Sequence, residues 1–235
     1  MRRTILSALT MGALVVGSLM ATNQGALADG GKKYKYKVTI TNPNRGQPLA
    51  PALFITHSKR FSLFETNGQP ASSGLATMAE TGAPFDLQAE VDGAHGVKST
   101  DVLPGPNPSP PVFLPGVSDS FYITTSRKAK YFTMVAMLGM TNDAFYALRG
   151  IKLPKDGKIT LYADAYDAGS ETNTEKTDDI PGLINNHVDP GEGFIHIHTG
   201  IQGEEDLERA TYDWRNPVAI ITVERIGGHE DDDDD

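Results

Sequence analysis

Cysteine is absent from this 235-residue chain, so no disulfide can stabilise it. Its stability must therefore come from a buried core, which a bound metal ion could supplement. Long apolar runs are also scarce, because no segment after the N-terminus approaches the ~20 apolar residues that a membrane-spanning helix needs. Basic residues are outnumbered, at 21 against 30 acidic ones, and they form no cluster typical of a nucleic-acid-binding surface. Nucleic acid is thus not expected as a partner.

The one long apolar run lies at the N-terminus, where Arg2 and Arg3 precede it and Ala26-Leu27-Ala28 follows it. This pattern predicts a secretory signal peptide over residues 1–28, cleaved after Ala28. The mature protein is expected to be secreted or periplasmic in a bacterium. About 200 residues would then remain, enough for one domain with a sizeable core, which we place at residues 29–228.

The C-terminal residues 229–235 end in five consecutive aspartates. A run of like charges without apolar residues predicts an acidic, disordered tail that aids solubility. Weak calcium buffering by this tail is the alternative.

Between these termini, short runs of alternating apolar and polar residues are separated by Gly, Pro, Asn and Asp, as in half-buried antiparallel strands. In "YKYKVTIT", Tyr34, Tyr36, Val38 and Ile40 share one face. With about eight or nine such strands and no long helix, the sequence predicts an all-β, antiparallel β-sandwich. The predicted strands are Tyr34–Thr41, Ala52–Thr56, Pro84–Val91, Ser120–Thr125, Tyr131–Leu138, Ala144–Ile151, Lys158–Ala165, Gly193–His198 and Val218–Ile226.

Two segments depart from this alternation. The stretch "DVLPGPNPSPPVFLPG" contains six prolines in sixteen residues, so it is expected to cross the surface or to form an edge. The stretch "GEEDLERATYDW" has acidic residues followed by Arg209, which predicts one short helix.

Strand direction brings two acidic loops together. If strands 131–138, 144–151 and 158–165 run alternately up and down, the loop holding Asp143 and the loop beginning at Asp167 open at the same end. Hard cations such as calcium bind six to eight oxygens, which carboxylates and carbonyls in such loops supply. Asp143, Asp167 and Glu171 are the predicted ligands, and Gly169 would permit the bend between the last two. Alternatively, these acids are solvated or cap local turns.

Three segments carry a family resemblance: "MVAMLGMTNDAFYAL", "YADAYDAGSETN" and "DWRNPVAIITVERI". In this order they resemble the spondin domain, the N-terminal module of F-spondin and its relatives, over roughly Tyr34 to Ile226. The resemblance implies an antiparallel β-sandwich of the C-two-like type with one calcium ion at one end. It matches Asp143 and Asp167 to the first two acids and puts Glu171 where the third is commonly Asp.

This chain lacks the cysteines of the animal members and has Phe145 where those have Trp. Calcium binding therefore transfers better than any animal-specific role. The expected partner is an extracellular protein, a polysaccharide or a surface, which the protein would bind in adhesion. No catalytic constellation is found.

The stretch "GFIHIHTG" offers a different metal chemistry. On a strand, His196 and His198 would point to one face. Together they could ligate copper or zinc, either in an enzyme or in a metal-binding protein. Alternatively, they are partly exposed histidines that alternate with core Ile195 and Ile197.

Other residues receive a structural interpretation. The remaining acids of the 161–179 stretch are interpreted as ordinary polar residues, and the aromatic residues on strand patterns as core. The acids are Asp164, Glu175, Asp178 and Asp179, and the aromatic residues are Tyr34, Tyr36, Phe121, Tyr122, Phe132 and Trp214.

Overall fold

The structure is a computed structural model that describes residues 33–181, 187 and 190–228. The predicted signal peptide and the acidic tail, residues 1–28 and 229–235, lie outside the described residues. Within the described ranges, no helix is both long enough and apolar enough to cross a membrane.

The described residues form nine antiparallel strands, which confirms the all-β prediction. The strand order is β3-β2-β5-β6-β7-β9-β1-β4, and β8 pairs with the end of β7. The strands are β1 (Lys33–Thr41), β2 (Ala52–His57), β3 (Val97–Leu103), β4 (Ser118–Ser126), β5 (Tyr131–Met137), β6 (Ala144–Lys152), β7 (Lys158–Asp167), β8 (His196–Ile197) and β9 (Ala219–Gly227). The helices are α1 (Ser73–Thr81), α2 (Phe85–Val91) and α3 (Arg209–Tyr212), with a 3-10 turn at Thr177–Asp179.

Strand β7 joins the two layers of the sandwich. Its first part, Lys158–Ala163, pairs with β9, and its last part, Asp164–Asp167, pairs with β6. The layers thus consist of β3-β2-β5-β6 and of β9-β1-β4, and they share β7. A buried hydrogen bond of 3.2 Å from Thr125 to Thr56 links β4 with β2 across the interior.

The main core lies between these layers. The apolar face of β1 is buried there, as the alternation of Tyr34, Tyr36, Val38 and Ile40 predicts. Phe54 of β2 and Phe132 of β5 stack within it, with ring centroids 4.7 Å apart. Most of the aromatic residues interpreted as core residues lie in this core. Tyr122, however, is 72% exposed on the outer face of β4, so its core assignment is wrong.

A second core covers the other face of β2, β5 and β6. Leu75 and Met78 of α1 and Leu87 and Val91 of α2 pack against it, so β2, most of β5 and residues 144–148 of β6 are buried on both faces. Helix α1 is capped at its N-terminus by Ser72, whose hydroxyl accepts from Leu75 N (3.3 Å), and at its C-terminus by Gly82 in the left-handed conformation.

The strand predicted at Pro84–Val91 is wrong, because this segment forms α2. Leu87 and Val91 are buried and Phe85 is exposed. Residues four apart share a face in a helix and also in a strand. The spacing of Leu87 and Val91 is therefore compatible with a helix and with a strand.

Other local predictions differ in extent. The predicted helix near Arg209 is present as α3, whereas the strand predicted at Gly193–His198 shortens to His196–Ile197. Strand β3 had no counterpart among the predicted strands. It occupies one end of the sheet order, and the proline-rich segment follows it, in agreement with the expected edge.

Candidate functional site

The two predicted aspartates meet at one end of the sandwich. Asp143 immediately precedes β6 and Asp167 ends β7, where Asp167 lies opposite Ala144 in the strand register. The backbone N–H of Ala168 donates to the carbonyl of Asp143 (3.2 Å). Both carboxylates are fully buried. The juxtaposition expected from strand direction is therefore present.

Asp167 organises the loop that follows it. Its Oδ1 accepts from the Gly169 N–H (2.7 Å), and its Oδ2 accepts from the Asn173 side chain (2.6 Å). Gly169 has a φ of 67°, and a Cβ there would collide with the Phe194 backbone. Glycine is thus required both by the left-handed conformation and by the close approach of the neighbouring loop.

The carboxylate of Asp143 accepts its hydrogen bonds on only one of its two oxygens. Its Oδ2 accepts from Ser170 N (2.7 Å), Ser170 Oγ (3.1 Å) and Glu171 N (3.0 Å). Its Oδ1 is buried and meets no hydrogen-bond partner among the described residues. Buried polar atoms are rarely left this way in native proteins, and a bound ion or water is the usual explanation.

The electrostatics of Asp143 reflect this environment. Burial raises the pKa of Asp143 from its ordinary value of 3.8 to about 7, and the neighbouring charge of Asp167 adds to the rise. The hydrogen bonds from Glu171 and Ser170 oppose this shift. The shift marks the energetic cost of holding two carboxylates in one buried site, which a divalent cation would remove.

Glu171, the third predicted ligand, is buried as well. Its backbone N–H reaches Asp143, while its Oε1 lies 2.5 Å from His187 Nδ1. Glu80 Oε2 of α1 lies 4.0 Å from the same nitrogen. The structure thus places Glu171 beside Asp143 through its backbone and directs one carboxylate oxygen to His187.

The surrounding loop contains buried, hydrogen-bonded carboxylates that the sequence interpretation missed. Glu175 is buried, and its carboxylate accepts from the backbone N–H groups of Gln202, Gly203 and Glu204. Asp179 is also buried and accepts from Thr174 Oγ1 (2.6 Å). The interpretation of these two acids as ordinary polar residues is therefore wrong.

Asn142 connects this loop to the site. It is buried, accepts from Thr174 N (3.3 Å) and donates to the Asp179 carbonyl (3.2 Å). These contacts join residues 32 and 37 apart in the chain, and each has a backbone group as one partner, so no residue pattern in the sequence signals them.

The two histidines flank Asp167 but have different environments. His198 is buried against Trp214, with a 5.0 Å centroid distance, and burial lowers the pKa of His198. Its Nδ1 accepts from Gly200 N (2.9 Å), which leaves the proton on Nε2, 3.2 Å from Asn173 Oδ1. Both ring nitrogens of His198 are therefore engaged within the protein.

His196 is half-buried, and its Nε2 lies 3.8 Å from Asp167 Oδ1. The expected alternation with core isoleucines holds for Ile195, which is buried, but is wrong for Ile197, which is 52% exposed. Ile195 precedes β8 and packs in the second core, whereas Ile197 lies within β8 and faces outward.

No protein-family model matches the chain, and no curated protein matches it.

Proposed function

We propose that this protein is an exported calcium-binding β-sandwich module of the spondin type, in which one calcium ion orders the loops at one end. The observation that supports this best is the buried Asp143 carboxylate, whose Oδ1 has no partner among the described residues and which lies beside Asp167. Two buried carboxylates without a neutralising cation are energetically unfavourable, and a divalent ion reverses that balance.

The donor set suits a hard cation. Asp143 Oδ1 is available, and each oxygen of Asp167 accepts one hydrogen bond from the protein although it has two lone pairs. Glu171 is the third proposed ligand. Backbone carbonyls and water would complete a coordination shell of oxygens, which calcium accepts in flexible geometry.

The ion is proposed to have a structural role. It would hold the 168–181 loop to the ends of β6 and β7 and fix the surface that these loops present. An ion that binds only the native state adds about 2.7 kcal/mol at 100 times its dissociation constant. The proposed partner of the ordered loops is an extracellular protein, a polysaccharide or a cell-envelope surface, bound without catalysis.

Thermal melts of the purified protein with excess calcium and with chelator test this proposal. A gain of about 2.7 kcal/mol should raise the melting temperature by roughly 5–10 °C in a domain of this size. Asp167→Asn should abolish the difference, whereas Asp178→Asn, at an exposed position in the same stretch, should preserve it. Identical melting temperatures of the unmodified protein in calcium and in chelator would refute the calcium site.

The alternative, a copper or zinc protein that uses His196 and His198 together, finds less support. Both nitrogens of His198 are engaged, with Gly200 and with Asn173, so metal ligation would break at least one of these hydrogen bonds. Stoichiometric copper or zinc whose binding depends on His198 would favour the alternative instead.

A further inference from the structure

We propose a second cation site, for a divalent transition metal such as zinc, formed by Asp167 Oδ1, Glu192 Oε2 and His196 Nε2. This site lies beside the proposed calcium site and shares Asp167 with it, but its argument does not depend on calcium. It differs from a histidine-pair site because Glu192 takes the place of His198.

The three ligand atoms already converge. His196 Nε2 lies 3.8 Å from Asp167 Oδ1 and 3.9 Å from Glu192 Oε2, and all three atoms lie within 4.8 Å of one another. Zinc binds nitrogen and oxygen ligands at about 2.0–2.2 Å, which places ligand atoms of a tetrahedral site about 3.4 Å apart. Small side-chain rotations of the two more exposed ligands would therefore complete the site.

The orientation of the His196 ring supports this assignment. Its Nδ1 lies 3.1 Å from the Ile197 carbonyl oxygen. A carbonyl only accepts, so Nδ1 carries a proton, and in the neutral ring the Nε2 lone pair faces the two carboxylates. Metal-binding histidines commonly use the same arrangement, in which a backbone carbonyl fixes the ring through the nitrogen that does not bind the metal.

Two carboxylate oxygens and the lone pair of a neutral imidazole face one another here, and each would stabilise a cation placed between them. A metal ion fits this arrangement. An imidazole ligand favours zinc and other transition metals over calcium, which prefers oxygen.

The backbone holds these ligands in place. Asp167 is fixed by the Gly169 N–H, and the Gly193 N–H donates to the Gly169 carbonyl (2.8 Å). Glu192 is thereby held next to the Asp167 loop. The side chains of Glu192 and His196 are 38% and 27% exposed, so water can reach the metal and fill the remaining coordination position.

The second group of this kind, Glu80, Glu171 and His187, is a weaker candidate. Its imidazole already lies at hydrogen-bond distance, 2.5 Å, from Glu171. It supplies a matched control, because His187 lies near the same end of the molecule.

Zinc titration by calorimetry in excess calcium tests the proposal on the full protein. The expected result is one zinc equivalent, weakened at least ten-fold in His196→Gln and in Glu192→Gln but unchanged in His187→Gln. Cobalt(II) provides a second readout, since its visible absorption should report a nitrogen ligand in the unmodified protein and lose that signature in His196→Gln.

Calcium titrations of the same variants separate this proposal from the calcium site. His196→Gln and Glu192→Gln should bind calcium as the unmodified protein does, and zinc should not displace calcium. Zinc binding that persists equally in both variants, stoichiometric competition with calcium, or no zinc binding would overturn the second site. Loss of the calcium effect with retained, His196-dependent zinc binding would refute only the proposed function.

Discussion

Glu175 and Asp143 are both buried carboxylates at the same end of the sandwich, yet the protein satisfies them differently. Both oxygens of Glu175 accept backbone N–H groups, from Gln202, Gly203 and Glu204. Within the described residues, all hydrogen bonds of the Asp143 carboxylate fall on Oδ2 and its Oδ1 has none. Burial alone therefore does not make a carboxylate a candidate ligand, and the proposed calcium site depends instead on an unsatisfied oxygen beside a second carboxylate.

The backbone reinforces this difference. Glu175 has a φ of 56°, a left-handed conformation that costs a non-glycine residue of order 1 kcal/mol. A glutamate at this position fits a structural role, because the hydrogen bonds of its carboxylate hold the 168–181 loop to the 202–204 segment. Asp143 instead faces Asp167, and the pKa of Asp143 rises because of burial and this like charge.

Among the substitutions, the largest effect is expected for Glu175→Ala. The variant leaves three backbone N–H groups without their charged acceptor and should lower the free energy of unfolding by about 3 kcal/mol. The loss should be equal in calcium and in chelator, as measured by urea denaturation. Asp178→Asn, exposed on the same loop, is the control and should change little. A loss confined to calcium would make Glu175 a ligand and remove the contrast with Asp143.

Asp143→Asn should have the opposite sign in chelator. The asparagine carbonyl can accept the three hydrogen bonds of Oδ2, and its amide can donate toward Asp167, so a repulsive pair becomes an attractive one. We expect about 2 kcal/mol of stabilisation at pH 8, where Asp143 is otherwise ionised. In calcium this advantage should disappear, because the variant lacks the ligand charge.

Chemical denaturation of the unmodified protein and of Asp143→Asn, each in calcium and in chelator, measures this difference in stability. A variant that is less stable than the unmodified protein in chelator would show that the Asp143 charge is favourable without a cation. That result would also remove the basis of the calcium proposal.

The sequence predicts the position of Asp143 beside Asp167 much better than it predicts the contacts of Glu175, for a physical reason. Asp143 and Asp167 come together because consecutive antiparallel strands return to the same end, so alternation along β6 and β7 was enough. Glu175 depends on backbone N–H groups 27–29 residues away, which have no residue-type signature.

Prediction of the fold has the same limit, because contacts between distant segments have no residue-type signature. Alternation predicts strands with one buried face, such as β1, but β2 is buried along its whole length because α1 and α2 cover its second face. The short segment that forms α2 carries apolar spacings compatible with either structure, so the packing of Leu87 and Val91 against the sheet decides.

The pH dependence of stability should separate the two carboxylates further. In chelator, the folded-state pKa of Asp143 is raised from 3.8 to about 7, so the folded state holds the extra proton in this window. Stability should therefore fall as the pH rises from about 4 to 7, by at most about 1.4 kcal/mol per pH unit. Subtracting the profile of Asp143→Asn from that of the unmodified protein isolates this contribution. A flat difference would show that Asp143 ionises without penalty.

The smallest expected effect, and the sharpest test of the third ligand, is that of Glu171→Gln. Removing one charge from the site should weaken calcium binding about five-fold, or about 1 kcal/mol, in a calorimetric titration. Glu171 also contacts His187, so the variant alters that contact as well. His187→Gln separates the two effects, because it removes the imidazole but keeps the Glu171 carboxylate. Equal calcium affinities in the two variants would assign Glu171 to the His187 contact and leave Asp143 and Asp167 as the acidic ligands.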